Sequence, residues 1–336
     1  MKAYVVERYK HPIAAAEVAE PTAGDHDVIV EIHAAAVNVI DEKIRTGEFK
    51  LLMPYKAPFV LGHDLAGVVV AVGPKATRFS VGDEVFGCSR EGKIGTFAER
   101  LAVHEDDLAL KPSGFSMIDA ASAPLVVLTA WQTLVEIADV QPGQKVFIQA
   151  GSGGVGTYAI QLAKHLGATV ATTASAASKP MLTGLGADTV VDYKTENFEE
   201  LLSGYDVAID SLGGAALSST LRILKPGGIA IGIAGPPDPA FARRRNLALP
   251  LRIAMSGLSF KVRRLAKRLG VSYQFWLMHE DGAQLNEIAG LLEAGTLRPV
   301  IDRTFSFEQT PEALEYVASG RSKGKVVIDV KERESS

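Results

Sequence analysis

The stretch AGSGGVGTYAIQLAKHLGATVATTAS, residues 150–175, decides the fold of this chain. Four glycines fall in its first seven residues, an apolar-periodic run follows, and a β-branched run closes it. Just before it, KVFIQ (145–149), launched by the turn Gln141-Pro142-Gly143, reads as a buried strand. Val155, Ala159, Leu162, Ala163 and Leu166 recur at helical spacing, so a helix opens inside the glycine cluster. Gly151, Gly153 and Gly156 form G-x-G-x-x-G across this strand-to-helix turn. Without β-carbons the turn can be tight, and the backbone can approach a pyrophosphate. The helix N-terminus adds unpaired N–H donors for the anion, so Gly151, Ser152, Gly153, Gly154, Val155 and Gly156 are the expected cradle. A ligand-free glycine turn is the bland alternative, and the strand and helix on either side argue against it.

The second strand, ATVATTA (168–174), indicates which dinucleotide is expected. An NAD-binding unit carries an Asp or Glu about twenty residues beyond the first glycine to accept from the ribose 2′-OH. Here the strand runs into Ser175-Ala176-Ala177-Ser178-Lys179, and the next acid is Asp188. A carboxylate would repel a 2′-phosphate, whereas hydroxyls and an ammonium would hold it. NADPH is therefore the expected cofactor, gripped by Ser175 and Lys179.

With 336 residues and 47% hydrophobic content, the chain can build two cores. Its net charge of −4 gives no global attraction to nucleic acid or membranes. Cys88 is the only cysteine, which excludes a disulfide framework and a Cys-rich zinc site. No apolar run is long enough to span a bilayer, and the opening MKAYVVERYKHP has no signal-like core, so the expected compartment is the cytoplasm.

Two textures alternate along the chain. Up to about residue 120, short β-prone runs broken by Gly, Pro and Asp suggest an antiparallel β domain. From about residue 130, strands and helices alternate as in a doubly wound parallel sheet. The tail resembles the first texture more than the second, so the nucleotide domain reads as an insertion. Residues 243–268 are rich in Arg and Lys and hold no acid. The expected role is a helical excursion that packs its apolar side and solvates its basic side. A membrane-lying or polyanion-binding helix is the alternative.

Seven stretches then carry a family resemblance over nearly the whole chain: AAAVNVIDEKIRTG (34–47), LGHDLAGVVVAVG (61–73), FSVGDEVFG (79–87), PLVVLTAWQTL (124–134), AGSGGVG (150–156), LGADTVVDY (185–193) and GKVVI (324–328). The chain resembles the zinc-independent quinone oxidoreductase and alkenal/enone reductase branch of the medium-chain dehydrogenase/reductase superfamily. That resemblance implies an α/β protein of two domains. A GroES-like, partly open β-barrel would span 1–125 and be completed by 296–336. A Rossmann NADPH domain would span 126–295, with the basic excursion at about 236–270 and the cofactor in the cleft between domains. It implies that Asn38 and Thr129 touch the nicotinamide end and that Tyr193 joins Ser175 and Lys179 around the 2′-phosphate. Ile233, Ala234 and the stretch from Arg321 to Lys325 would close over the cofactor. A homodimer is implied too.

Metal-dependent members hold zinc with Cys, His and a further Cys or acid. Here Asn38 stands where the first Cys would be, and only His63-Asp64 keeps a trace of the Gly-His-Glu ligand motif, so no metal is expected. The implied activity is hydride transfer from NADPH to a quinone or to the C=C bond of an α,β-unsaturated carbonyl. An NADPH-binding protein with a redox-sensing or peripheral membrane role is the alternative. Asn38, Asp41, Arg45 and His63 are the polar candidates for the catalytic step. Asn38 leads them, while Asp41 and Arg45, four apart, read as a loop-shaping ion pair.

Overall fold

The protein is described from a computed structural model, in which residues 1–331 are the described residues. It divides into two compact units: Met1–Leu128 together with the tail from His279, and Thr129–Met278. The nucleotide unit is thus inserted into the first. It ends earlier than 295 because the helix Gly282–Glu293 belongs with the β unit. Gly282 lies so close to the Leu108 carbonyl that a Cβ there would sit 2.2 Å from it, and Glu293 accepts from the Ser113 N–H at 2.7 Å.

In the β unit the long strand Asp27–Val37 is the organiser. It pairs antiparallel with Asp64–Val72, Arg100–His104 and the tail strand Lys325–Asp329. A second sheet of three strands is built around Lys2–Val6. The registers position the chemistry: Val326 lies opposite Val37, and Ala36 opposite Asp64. Lys325, Asn38 and Asp64 therefore arrive together at one end of three neighbouring strands.

The inserted unit is a six-stranded parallel sheet. Lys145–Ile148 has Thr169–Ala174 and then Thr189–Asp192 on one side. On the other side lie Tyr205–Asp210, Leu224–Gly232 and Ser272–Phe275. In sequence order this is 3-2-1-4-5-6, the doubly wound arrangement whose switch point opens beside the first strand. Parallel strands are covered on both faces, which is why Lys145–Ile148 and Thr169–Ala174 are apolar or β-branched almost throughout. The sixth strand had no clear signature in the sequence.

Candidate active site

At the switch point the helix Gly154–His165 opens directly from the glycine turn. A Cβ at Gly151 would fall 2.1 Å from the Thr172 hydroxyl, and one at Gly156 would fall 2.6 Å from the Ala150 carbonyl. These two glycines are required by helix-on-strand packing. At Gly153, the helix N-cap, a Cβ would meet only the Ala150 oxygen at 3.4 Å. Packing does not demand glycine there, whereas an anion approaching the backbone would. The cap carries no side-chain hydrogen bond, so the first-turn N–H groups keep the donor capacity a pyrophosphate needs. The residues present fit a dinucleotide.

The register Ala174 with Asp192 sets Ser175 beside Tyr193, whose N–H donates to Ala174 O at 3.3 Å. Lys179 and Tyr193 are exposed, and Ser175 is half-buried with its hydroxyl 3.4 Å from that of Ser178. Ile233 follows the strand Leu224–Gly232 and donates its N–H to Asp210 O, and Ala234 packs its carbonyl against Gly213. The nucleotide unit therefore gathers the cradle, Ser175, Lys179, Tyr193, Ile233 and Ala234 at the carboxyl ends of its strands. Thr129, buried, lies on the helix Pro124–Trp131.

In the β unit the candidates form a buried polar centre. Asn38 precedes the helix Val39–Thr46 and donates its backbone N–H to Asp41 Oδ2 at 2.7 Å. The other Asp41 oxygen, Oδ1, accepts from His63 Nδ1 at 2.5 Å. Since a carboxylate can only accept, this bond fixes the proton on Nδ1. Burial alone would lower the His63 pKa, but the Asp41 carboxylate, helped by Glu280 and Asp64, outweighs it and holds the value above the usual histidine range. The Nε2 edge of His63 has no protein partner among the described residues.

The Asn38 side chain turns the other way. Its Nδ2 donates to Asp64 Oδ2 at 2.8 Å, and its Oδ1 accepts from Lys325 Nζ at 2.5 Å. Lys325 Nζ also lies 3.0 Å from Asp64 Oδ2, and Asp64 Oδ1 accepts the Leu125 N–H at 2.8 Å. All five side chains are buried. Two sequence expectations change here. Arg45 pairs with Glu42 through two bonds of 2.6 and 2.7 Å, not with Asp41, because the i,i+3 spacing turns Glu42 outward beside it. Lys325 is sealed inside the β unit on Asn38 and Asp64, whereas Arg321 stays exposed. Among the described residues no group of three or more His, Cys, Asp or Glu side chains could hold a metal ion. An ammonium stands against Asp64 instead.

Residues 24–113 match the alcohol dehydrogenase GroES-like domain family, and residues 185–328 match the zinc-binding dehydrogenase family. The chain belongs to the medium-chain dehydrogenase/reductase superfamily. It is 36% identical over 321 residues to 2-methylene-furan-3-one reductase of Solanum lycopersicum, covering 93% of this chain and 74% of that one. It is 32% identical to the chloroplastic NADPH-dependent alkenal/one oxidoreductase of Arabidopsis thaliana, over 92% of this chain and 73% of that one. Among solved structures it is similar to the quinone oxidoreductase of Coxiella burnetii, with a TM-score of 0.85 and 28% identity over 98% and 99% of the two chains. Membership in this superfamily makes the chain an oxidoreductase by descent. Among the described residues no helix is long and apolar enough to cross a membrane.

Proposed function

We propose that this protein is an NADPH-dependent reductase of the conjugated C=C bond of α,β-unsaturated carbonyls, working without zinc. The observation that carries this reading is His63, held by Asp41 with a raised pKa and a free Nε2. A bound reduced nicotinamide supplies a hydride. An enone that accepts hydride at its β-carbon becomes an enolate and must then take a proton at the α-carbon. His63 can hold that proton on Nε2, while Asp41 orients the ring and stabilises its charged form. A quinone makes less of this arrangement, because solvent can protonate its hydroquinone anion. Lys325 Nζ lies 3.0 Å from Asp64 Oδ2, so the charge of the adjoining Asp64 is balanced by a side chain of this centre.

The names of the relatives agree with this reading, and the quinone oxidoreductase similarity keeps quinones as the competing acceptor. A panel of enones, enals and quinones compared by kcat/KM tests it: enones and enals should lead, and uniformly faster quinones would reverse the assignment.

For the cofactor, Ser175, Lys179 and Tyr193 support NADPH over NADH, since the strand Thr169–Ala174 runs into Ser175 with no acid following it before Asp188; the Asp192 carboxylate, in register with Ala174 on the next strand, accepts the Lys194 N–H. Lys179→Ala should weaken NADPH binding roughly tenfold to a hundredfold, the size of one charge-assisted hydrogen bond, and leave NADH binding unchanged. Fluorescence titration with both cofactors reads this directly. Equal loss for both would move the phosphate grip elsewhere.

A further inference from the structure

Residues 239–279 carry nine Arg and Lys and no Asp or Glu, in a chain of net charge −4. Two helices, Leu249–Leu258 and Phe260–Leu269, follow one another across Ser259, which ends the first and caps the second with φ −85° and ψ −1°. Ser259 N–H donates to Met255 O, and its own carbonyl accepts from Arg263 N–H, so a single residue separates the two. The result is a closely joined helical pair.

Its inner side, Met255, Val262 and Ala266, is buried, with Val262 and Ala266 in the core beside Leu217 and Leu221. An ordinary surface helix would turn a polar face outward. This pair exposes Leu249 (68%) and Ile253 (65%) on one side of the first helix, Leu258 (67%) and Phe260 (55%) at the junction, and Lys261, Arg264, Lys267 and Arg268 along the second helix. Arg252 and Arg263, whose stems could have covered the apolar residues, are folded back onto Leu247 O and Ser256. None of the four outer cations has a hydrogen bond or ion pair among the described residues. Leu258, Val262 and Leu265 wall a cavity of about 500 Å³ that Lys261 and Arg268 also line.

We infer that this face docks on an anionic lipid bilayer. Nucleic acid would satisfy the cations and leave the leucines, isoleucine and phenylalanine in water. An interfacial amphipathic helix uses both, seating its apolar side chains at the acyl boundary and its Lys and Arg against phosphates. The cavity between the apolar wall and the two cations suits a headgroup phosphate with the start of its chain.

The test is co-sedimentation of the full chain with phosphatidylcholine vesicles and with vesicles containing about one-third phosphatidylglycerol, at low and high salt. Binding should be confined to the anionic vesicles and fall at least about tenfold as salt rises. Leu249→Asp with Ile253→Asp, and separately Lys267→Glu with Arg268→Glu, should each weaken it about tenfold or more while NADPH binding is retained. No binding to anionic vesicles, or binding that neither double variant alters, overturns the inference. So does a stable dimer that Leu249→Asp with Ile253→Asp dissociates, since the face would then be covered by a second copy. Vesicle binding is read without turnover, so its failure leaves the reductase assignment untouched.

Discussion

Lys325→Met should destabilise the protein by about 3–5 kcal/mol, the usual consequence of stripping one partner from a buried ion pair. For a unit of this size that lowers the melting temperature by roughly 10 °C, at about 2–4 °C per kcal/mol. The reason lies in the registers. Lys325 enters on the tail strand opposite the end of Asp27–Val37, and Asp64 begins the next strand, so the ammonium and the carboxylate meet where no water reaches. Without Nζ, Asp64 Oδ2 keeps only the Asn38 amide, and Asn38 Oδ1 loses its donor. Adding Asp64→Leu to Lys325→Met should recover much of the loss, because a well-packed apolar pair removes the uncompensated charge. Recovery would be incomplete, since the Leu125 N–H loses its acceptor. Thermal unfolding of the two variants checks this, and a melting temperature within about a degree of the parent for Lys325→Met would mean that the pair holds nothing together.

That centre also marks where the sequence stops being legible. The glycine turn, the alternation of strands and helices, and the apolar run of the tail strand are local patterns, and the strands and helices follow them closely. The polar centre depends on register between strands almost 300 residues apart, which no local pattern encodes. The family resemblance alone makes Lys325 a cofactor contact, as the last residue of the stretch from Arg321. A lysine leading an apolar strand was the only sign that it needed a buried anion. Asp41 and Arg45 stand four apart, a spacing that suits an ion pair on any helix. What the spacing could not reveal was that Glu42 competes for Arg45 and that His63 approaches Asp41 from another strand's start. The basic segment was visible as composition, but which of its side chains face outward follows from packing against the helix Gly214–Arg222.

His63→Gln should lower kcat for an enone by about 10²–10⁴-fold, the range that a positioned general acid contributes. In the parent protein the proton-donating form is the charged ring. Activity should therefore be full at low pH and fall as pH rises through the His63 pKa, which Asp41 holds above the ordinary value near 6.5. The same protonation stabilises the fold below the unfolded-state value, and that contribution fades as pH rises through the folded one. Asp41→Asn keeps a hydrogen-bond acceptor for Nδ1 but removes the charge. It should move the falling limb of the rate profile to lower pH, which a merely structural role would not do. Asp41→Ala should then cost at least as much turnover as Asn38→Ala, because the Asn38 amide is committed to Asp64 and Lys325 while Asp41 acts on the proton donor. Quinone turnover, protonated from solvent, should change little in His63→Gln. Equal losses on enones and quinones, with an unshifted profile in Asp41→Asn, would show that His63 only props up the loop and that the proton arrives by another route.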